Sequence, residues 1–384
     1  MPLRTEDFIV DGDIATARTL PPHAFTEPEF LERELATIFS RNWLFVPQRT
    51  AGELRADPRS LTDLLRLRGS HLPVTMLDRP LFLQRDWDER LHAFPNVCSH
   101  AWYPLVHGLG RERTIVCGQH GRRFDSAGRY LGQPGFEGAG PQPEDDLQEL
   151  SLAEWEPFLF VAFGSPLQPF ETLMAEVQDS LACFPLGDLQ RAPHDGEVRE
   201  VEGNWKQHAW NYMDVFHLSH IHRAPGGLAG ALDMDSYRTE LYAASALQWA
   251  YAARPEHGFE PQLLPRRFAH PTKRVFALWW FIFPNLTLNF YPWGLSVNVY
   301  MPVPRQPERT LFLWYHYVLD QARYEQREQI WLNRQVDAED VDAMRQVSRG
   351  VRSGLARRGR FSPGEEAGSH WFQRLVYTTT FMSS

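Results

Sequence analysis

Apolar residues recur along this chain with two different periods, and the changeovers divide it. From Thr26 to Trp43 the spacing is helical. Phe30, Leu31, Leu35, Ile38 and Phe39 make one face, and Glu27, Glu29, Glu32 and Glu34 load the first half with negative charge. From Trp43 to about Phe163 short strands are split by Gly, Pro and Asp, among them Leu81–Leu83, Arg90–Phe94 and the β-branched run Thr114–Val116. Gly132–Asp146 is rich in Gly and Pro and reads as loop. Helical spacing returns over Pro169–Phe184 through Phe170, Leu173, Met174, Val177 and Leu181. Residues 198–222 start strand-like and turn helical at Asn204, with Pro225-Gly226-Gly227 as the stop.

Val275–Phe283, Thr287–Tyr291, Leu295–Met301 and Thr310–Leu319 then read as consecutive strands. In the third, Leu295, Val297, Val299 and Met301 alternate with Ser296, Asn298 and Tyr300, giving one apolar and one mixed face. A final helix is expected over about Ala322–Val351. The boundaries that follow are a helical segment at 1–42, a small β domain at 43–164 and a larger domain at 165–384. The larger domain packs an antiparallel sheet against helices, so the fold class is α+β.

Composition narrows the function. The 384 residues include 13 Trp, 12 Tyr and 25 Phe, enough for a sizeable core. Net charge is −9 with no basic run, which argues against nucleic acid. No apolar stretch of about 18 residues or more offers a transmembrane helix. Met1–Asp13 is polar and acidic, unlike a secretory leader. Of the three Cys, Cys183 sits in an apolar helical stretch and reads as core. That leaves no disulfide framework, and a reducing cytoplasm fits.

The other two Cys carry chemistry. Cys98-Ser99-His100 is followed, sixteen residues on, by Cys117-Gly118-Gln119-His120-Gly121. Two Cys for one iron and two His for the other is the ligand set of a Rieske [2Fe–2S] cluster. A tetrahedral zinc site is the rival, but zinc fingers usually pair Cys with Cys and His with His. Here each pair mixes the two types.

A second constellation lies on the helix from Asn204. Asn211, Asp214 and His217 are spaced three apart and would share a face. The flanking Trp210, Tyr212, Phe216, Leu218 and Ile221 argue against a merely solvated stripe. His220 would lie near His217 on an ideal helix, whereas His222 would point about 140° away unless the helix bends. Far along the chain, Val336, Asp340, Ala343, Met344, Val347 and Val351 follow the spacing of a buried stripe, with Asp340 inside it. Asp337, Glu339 and Asp342 fall off the stripe and read as solvated charge. A carboxylate in an apolar stripe needs a cation or hydrogen bonds. Two His and one Asp make the facial triad of a non-haem Fe(II) oxygenase. A buried salt bridge from Asp340 to an Arg is the plain alternative.

Together these residues resemble the α subunits of Rieske non-haem iron oxygenases over nearly the whole chain. The likeness rests on Arg18-Thr19-Leu20-Pro21 with Phe30, Glu34 and Trp43, on Asn96–His100 and Cys117–Asp125, on Asn204-Trp205-Lys206, Asn211-Tyr212, Asp214 and His217–His222, and on Glu339-Asp340 with Gly350. It implies a Rieske [2Fe–2S] β domain held by Cys98, His100, Cys117 and His120, and a helix-grip (START-like) catalytic domain on which segment 1–42 packs. It implies a mononuclear Fe(II) held by His217, His222 and Asp340, with His220 a bystander and Asn211 in the catalytic motif. Asp214 resembles the carboxylate that bridges a cluster His of one subunit to an iron-ligand His of the next, which implies a head-to-tail homotrimer. It implies O₂ and a small organic substrate, with NAD(P)H electrons arriving through a reductase and in some systems a ferredoxin. The chain departs from the family at Ala101, where Arg is usual, at Trp210, where Glu is usual, and at Ser348, where Gln is usual. The stretch Phe283–Gly294 resembles the choline, glycine betaine and carnitine branch. Trp279, Phe281, Tyr291 and Trp293 could cage a quaternary ammonium by cation–π contact, or accept an aromatic substrate. An electron carrier without oxygenase chemistry is the rival function.

Overall fold

The first helix, α1 (Pro28–Glu34), starts on a proline, whose fixed φ suits the first turn. It widens into π-type hydrogen bonding over Leu35–Phe39, which buries Ile38 and Phe39. Glu34 is fully buried. Its carboxylate lies 2.8 Å from Lys206 Nζ and accepts a 3.0 Å hydrogen bond from Trp205 Nε1. Burial pushes the Glu34 carboxyl up and the Lys206 ammonium down, and each opposes the other's shift. The rings of Phe25, Phe30 and Trp205 surround Nζ at 5.1 to 5.4 Å.

This computed structural model describes residues 4–47, 59–222, 227–331 and 333–382. The chain forms two compact units. One is Trp43–Leu167; the other joins Met1–Asn42 to Gln168–Ser384. No helix among the described residues is long and apolar enough to cross a membrane.

The smaller unit is mostly short strands, with a helical turn at Pro143–Asp145 and the short helix α2 (Leu61–Leu64), which Ser60 and Asp63 close with a capping box. Its strands are β1 (Leu44–Phe45), β2 (Ser70–Met76), β3 (Arg79–Arg85), β4 (Leu91–Pro95), β5 (Gly110–Arg111), β6 (Thr114–Val116), β7 (Arg123–Asp125), β8 (Tyr130–Gly132), β9 (Ser151–Trp155) and β10 (Phe158–Ala162). They form three antiparallel sheets, ordered β1-β10-β9, β4-β3-β2-β5 and β6-β7-β8. Phe82, Phe94, Ile115 and Phe124 pack with Cys98 and Cys117 in one apolar cluster. The β6–β7 hairpin, with Val116 opposite Arg123, projects the Cys117–Arg122 turn, and Gly121 takes φ +68° there.

In the larger unit α3 (Phe170–Ser180) precedes β11 (Gln190–Glu202). The helices α4 (Trp205–Met213), α5 (Leu218–Ile221) and α6 (Leu228–Ala231) follow. Then come β12 (Arg238–Leu241), β13 (Ser245–Tyr251), β14 (Val275–Ile282), β15 (Leu286–Tyr291), β16 (Gly294–Val303) and β17 (Gln306–Val318). Last are α7 (Gln321–Trp331), α8 (Asn333–Arg352) and α9 (Ala367–Phe381). One seven-stranded antiparallel sheet, ordered β11-β17-β16-β15-β14-β13-β12, carries the unit, and α4 packs on β16 and β17 and against α8 and α9. The α+β class and the antiparallel sheet are as the sequence led us to expect.

Several details differ. The region expected as one final helix is α7 and α8, with Leu332 outside the described residues, and α9 follows as a third helix. Its Phe372 and Val376 are fully buried, but dispersed Thr and Ser weaken its apolar stripe. The α8 stripe buries Val336, Met344 and Ser348, while Val347 is 42% exposed. Cys183 is exposed rather than core, because α3 ends at Ser180. Pro225 and Gly226, expected as a helix stop, lie outside the described residues. The helix ends earlier, at Met213.

Removing one partner of the Glu34–Lys206 pair strands a buried charge. Glu34→Ala should destabilise the protein by about 3–5 kcal/mol, whereas Glu34→Leu combined with Lys206→Met should recover most of that. Chemical denaturation of the three proteins measures the difference, and equal loss in both variants would refute it.

Candidate metal centres

In the smaller unit the two motif cysteines and two motif histidines separate by depth. Cys98 and Cys117 are buried and hydrogen-bonded through their sulfurs. Burial pushes the Cys98 thiol up, against backbone N–H donors from His100 and Ala101. His100 and His120 are exposed, with ring centroids 4.9 Å apart at 68°. Among the described residues only one group, elsewhere, gathers three metal-ligating atoms within 4.8 Å of one another. Two inner sulfurs and two outer imidazoles suit a two-iron cluster whose irons take unlike ligands.

Buried Arg122 ties this region together. It donates to Gln133 Oε1 at 2.8 Å, Ser99 Oγ at 2.7 Å and Asp145 Oδ1 at 2.7 Å. Gln133 Nε2 in turn lies 3.0 Å from His100 Nδ1. Gln133 and Asp145 fall in the stretch that reads from sequence as plain loop, and no signal in the sequence marked them. Ala101 gives no side chain to this network.

The group of three is His217, His222 and Asp340. Asn204 caps α4, accepting from Lys206 N, while Gln207 Oε1 accepts from Asn204 N at 2.7 Å. The helix stops at Met213 because Asp214 is extended (φ −91°, ψ 106°), and Asp214 Oδ1 accepts from Phe216 N at 2.8 Å. Asn211, Asp214 and His217 therefore do not share one helix face, as the spacing had suggested. His217 precedes the one-turn helix α5, and His222 follows it with non-helical backbone (φ −92°, ψ 33°). That departure turns the two imidazoles together, with their Nε2 atoms 3.2 Å apart. Asp340 Oδ1 lies 3.6 Å from His217 Nε2 and 3.1 Å from His222 Nε2. His220 is exposed and bonds with Ser219 and Phe216 instead.

Each imidazole also faces a carboxylate behind it. Glu339 Oε2 is 2.8 Å from His222 Nδ1, and Asp214 Oδ2 is 3.6 Å from His217 Nδ1. Burial disfavours protonation of His222, but Asp340 and Glu339 outweigh it and raise its pKa. Asn211 Nδ2 donates to Asp340 Oδ1 at 2.9 Å. No Arg pairs with Asp340 among the described residues, so the salt-bridge alternative lapses. Glu339, read from sequence as solvated, is held against the buried His222 ring.

The trio opens into a cavity of about 140 Å³. Sheet register builds one wall. Gln248, Trp279, Asn289, Ser296 and His316 sit opposite one another on adjacent strands from β13 to β17. All five line the cavity, as do Asn298 and Tyr300 from the mixed face of β16. His208 and Tyr212 enter from α4, and Asp337 from α8. Of the four aromatics expected to cage a substrate, Trp279 and Tyr291 line the cavity. Trp293 stacks behind Tyr291 at 5.1 Å, and Phe281 packs on Phe372. His208, Tyr237 and Gln248 were not anticipated. Strand alternation could have found the sheet residues, but not which strands adjoin.

Comparison with known proteins bears on both units. Residues 60–148 match the family described as Rieske [2Fe-2S] domain, and residues 189–379 match the ring hydroxylating alpha subunit (catalytic domain). The chain belongs to the Rieske non-haem iron oxygenases. It is the oxygenase component of such a system, an oxidoreductase with a [2Fe–2S] domain and a mononuclear iron domain; the bare electron carrier is not favoured, since the catalytic domain is matched too. Among curated relatives, the chloroplastic choline monooxygenase of Amaranthus tricolor is 26% identical over 377 residues, covering 94% of this chain and 77% of its own. The carnitine monooxygenase oxygenase subunit of Acinetobacter pittii is 24% identical, covering 97% and 96%. Among solved structures, a quaternary ammonium Rieske monooxygenase superposes with TM-score 0.76 at 21% identity, covering 99% of each chain. Naphthalene 1,2-dioxygenase from Rhodococcus sp. gives 0.71 at 16%, covering 95% of each. These superpositions establish the fold of this Rieske oxygenase.

Carboxylates behind metal-binding histidines usually govern metal affinity by about 10–100-fold. Glu339→Gln should weaken iron binding at the trio by that factor and leave the cluster's visible spectrum unchanged. Iron titration of the cluster-loaded variant tests this; unchanged affinity would reduce Glu339 to a surface charge.

Proposed function

We propose that this oxygenase hydroxylates a small quaternary ammonium compound, either at a carbon next to the nitrogen, so that the C–N bond then breaks, or at an alcohol carbon, whose gem-diol then loses water to give the aldehyde. The observation that carries the reading is that His217, His222 and Asp340 open onto a cavity walled by aromatic rings. Tyr237 stacks on Trp279 at 5.8 Å, and Trp279 Nε1 donates to Tyr291 Oη at 3.0 Å, which fixes three rings relative to one another. Such faces attract a cation that cannot donate hydrogen bonds. The named activities of the choline and carnitine relatives point the same way.

In this reading His217, His222 and Asp340 hold the iron, and Cys98, His100, Cys117 and His120 hold the cluster. Bound there, the iron would supply O₂ activation and the cluster would supply electrons singly. The side chains do the rest. Asn211 fixes the Asp340 carboxylate. Tyr212 Oη donates to Asn289 Oδ1 at 2.6 Å, and Gln248 Nε2 donates to the Tyr212 carbonyl at 3.0 Å, holding the wall rigid. Burial keeps the hydroxyls of Tyr212, Tyr237, Tyr291 and Tyr300 protonated, because each pKa is raised. The buried His217 Nδ1 makes no hydrogen bond among the described residues and faces Asp214. That supports Asp214 as the group coupling this histidine to a neighbouring subunit's cluster in a head-to-tail homotrimer. A reductase, with or without a ferredoxin, would deliver NAD(P)H electrons in the cytoplasm.

Asp340→Ala should keep the cluster's colour and EPR signal, lose the second iron and abolish product. Full turnover by that variant at normal iron content would refute the ligand assignment. Asp214→Ala should keep both metals and slow cluster reoxidation in stopped flow by at least tenfold; wild-type reoxidation would remove Asp214 from the electron path.

A further inference from the structure

Glycine weakens a helix relative to alanine, so a glycine inside one calls for a reason. α9 carries one, Gly368, buried near its start. Its φ is one that any residue adopts, so conformation does not require glycine there. Close approach does. A Cβ at that position would stand 2.6 Å from the Met213 carbonyl oxygen and 2.9 Å from Met213 Cε, inside the 3.0 Å that real Cβ atoms keep. Gly350 in α8 is different, with nothing within 4 Å of such a Cβ. The carbonyl that Gly368 meets belongs to the peptide joining Met213 to Asp214, where α4 stops.

A methyl group forced into that contact would move whichever side is held more weakly. α9 is pinned from several directions. Phe372 packs edge-on against Trp205 and Phe281, with centroids at 5.9 and 5.5 Å. Trp371 Nε1 donates to the Tyr242 carbonyl at 2.8 Å, and His370 Nε2 lies 2.7 Å from the Asp11 carbonyl. At the start of α9, Glu366 Oε2 accepts from Ser362 N at 2.7 Å. Burial holds the Glu366 pKa up, against the Ser362 N–H, and the charge of Asp214 adds to the rise. The segment after Met213 is held more lightly. Asp214 is half-buried, Phe216 is 47% exposed, and Asp214 N reaches the Asn211 carbonyl only at 3.3 Å.

We propose that Gly368 is a positioning residue for electron transfer: without a side chain it lets α9 seat against the Met213–Asp214 peptide, and that seat fixes where Asp214 stands beside His217. The inference rests on the reading of Asp214 as the group that couples His217 to a neighbouring subunit's cluster, and deepens it. For a Cβ to reach ordinary contact at 3.4 Å, the peptide has to retreat by about 0.8 Å. That alters the 3.6 Å separation of Asp214 Oδ2 from His217 Nδ1. A misplacement of about 1 Å by a change remote from the chemistry can cost about 100-fold in rate.

The test mixes reduced holoenzyme with O₂ in stopped flow and follows reoxidation of the cluster by its visible absorbance. Gly368→Ala should slow reoxidation about tenfold while keeping both metals and the wild-type cluster spectrum. Asp214→Ala combined with Gly368→Ala should be no slower than Asp214→Ala alone, because two changes acting through one group do not add. A wild-type rate in Gly368→Ala, even with a lowered melting temperature, overturns the proposal. So does loss of the second iron, which would mean that the ligands moved rather than Asp214. Losses that multiply in the double variant place the action of Gly368 elsewhere and leave the Asp214 reading standing. A wild-type rate in Asp214→Ala removes that reading and the proposal with it. A crystal structure of the wild-type holoenzyme decides the matter even if the variant does not fold. It should show Gly368 against the Met213 carbonyl, and a gap wide enough for a methyl group would overturn the proposal.

Discussion

Three carboxylates, Asp214, Glu339 and Asp340, converge on two imidazoles in a partly buried pocket, and the site hangs on that imbalance of charge. Anions held together away from water repel one another unless a cation sits among them. The imidazoles present Nε2 towards the common point and Nδ1 towards the outer carboxylates, so a cation at the centre would meet lone pairs and one carboxylate oxygen. The arrangement therefore favours a divalent metal before any particular element is considered.

Local backbone makes that convergence possible. α4 has to stop at Met213, α5 has to be a single turn, and His222 has to leave helical geometry. The start of α4 is fixed from the opposite side by the Glu34–Lys206 pair and by the Asn204–Gln207 cap. Ser348 adds a tie from α8, its hydroxyl lying 3.1 Å from Gln207 Oε1. That contact gives the departure at Ser348 a structural account: a short side chain suits so close an approach.

Much of this was legible in the sequence, for identifiable reasons. The Cys98–His120 motif carries its chemistry in residue types and spacing, so no geometry was needed to see it. Strands β14 to β17 read as strands from their apolar and β-branched runs, and β16 from its alternation as well. Asp340 was visible as a charge in an apolar stripe. What escaped was whatever depends on neighbours in space. Glu339 looked solvated because sequence cannot show His222 beside it. Glu34 read as one of four acids loading the start of a helix, and its partner was unseen because Lys206 lies far along the chain. The helix break at Asp214 was invisible because spacing arguments assume the helix continues. Trp293 and Phe281 were misplaced because aromatic content alone does not tell a wall from the layer behind it.

The row from Gln248 to His316 has an evolutionary consequence. Its five side chains come from five neighbouring strands, each locked to the next by backbone pairing, while His217, His222 and Asp340 come from elements outside the sheet. Point changes along the row can therefore reshape the chamber without disturbing His217, His222 or Asp340. Insertions cannot. A single added residue in β15 or β16 would slip the register and turn every downstream side chain to the opposite face. Diversification of this chamber is thus open to substitution and closed to changes in strand length.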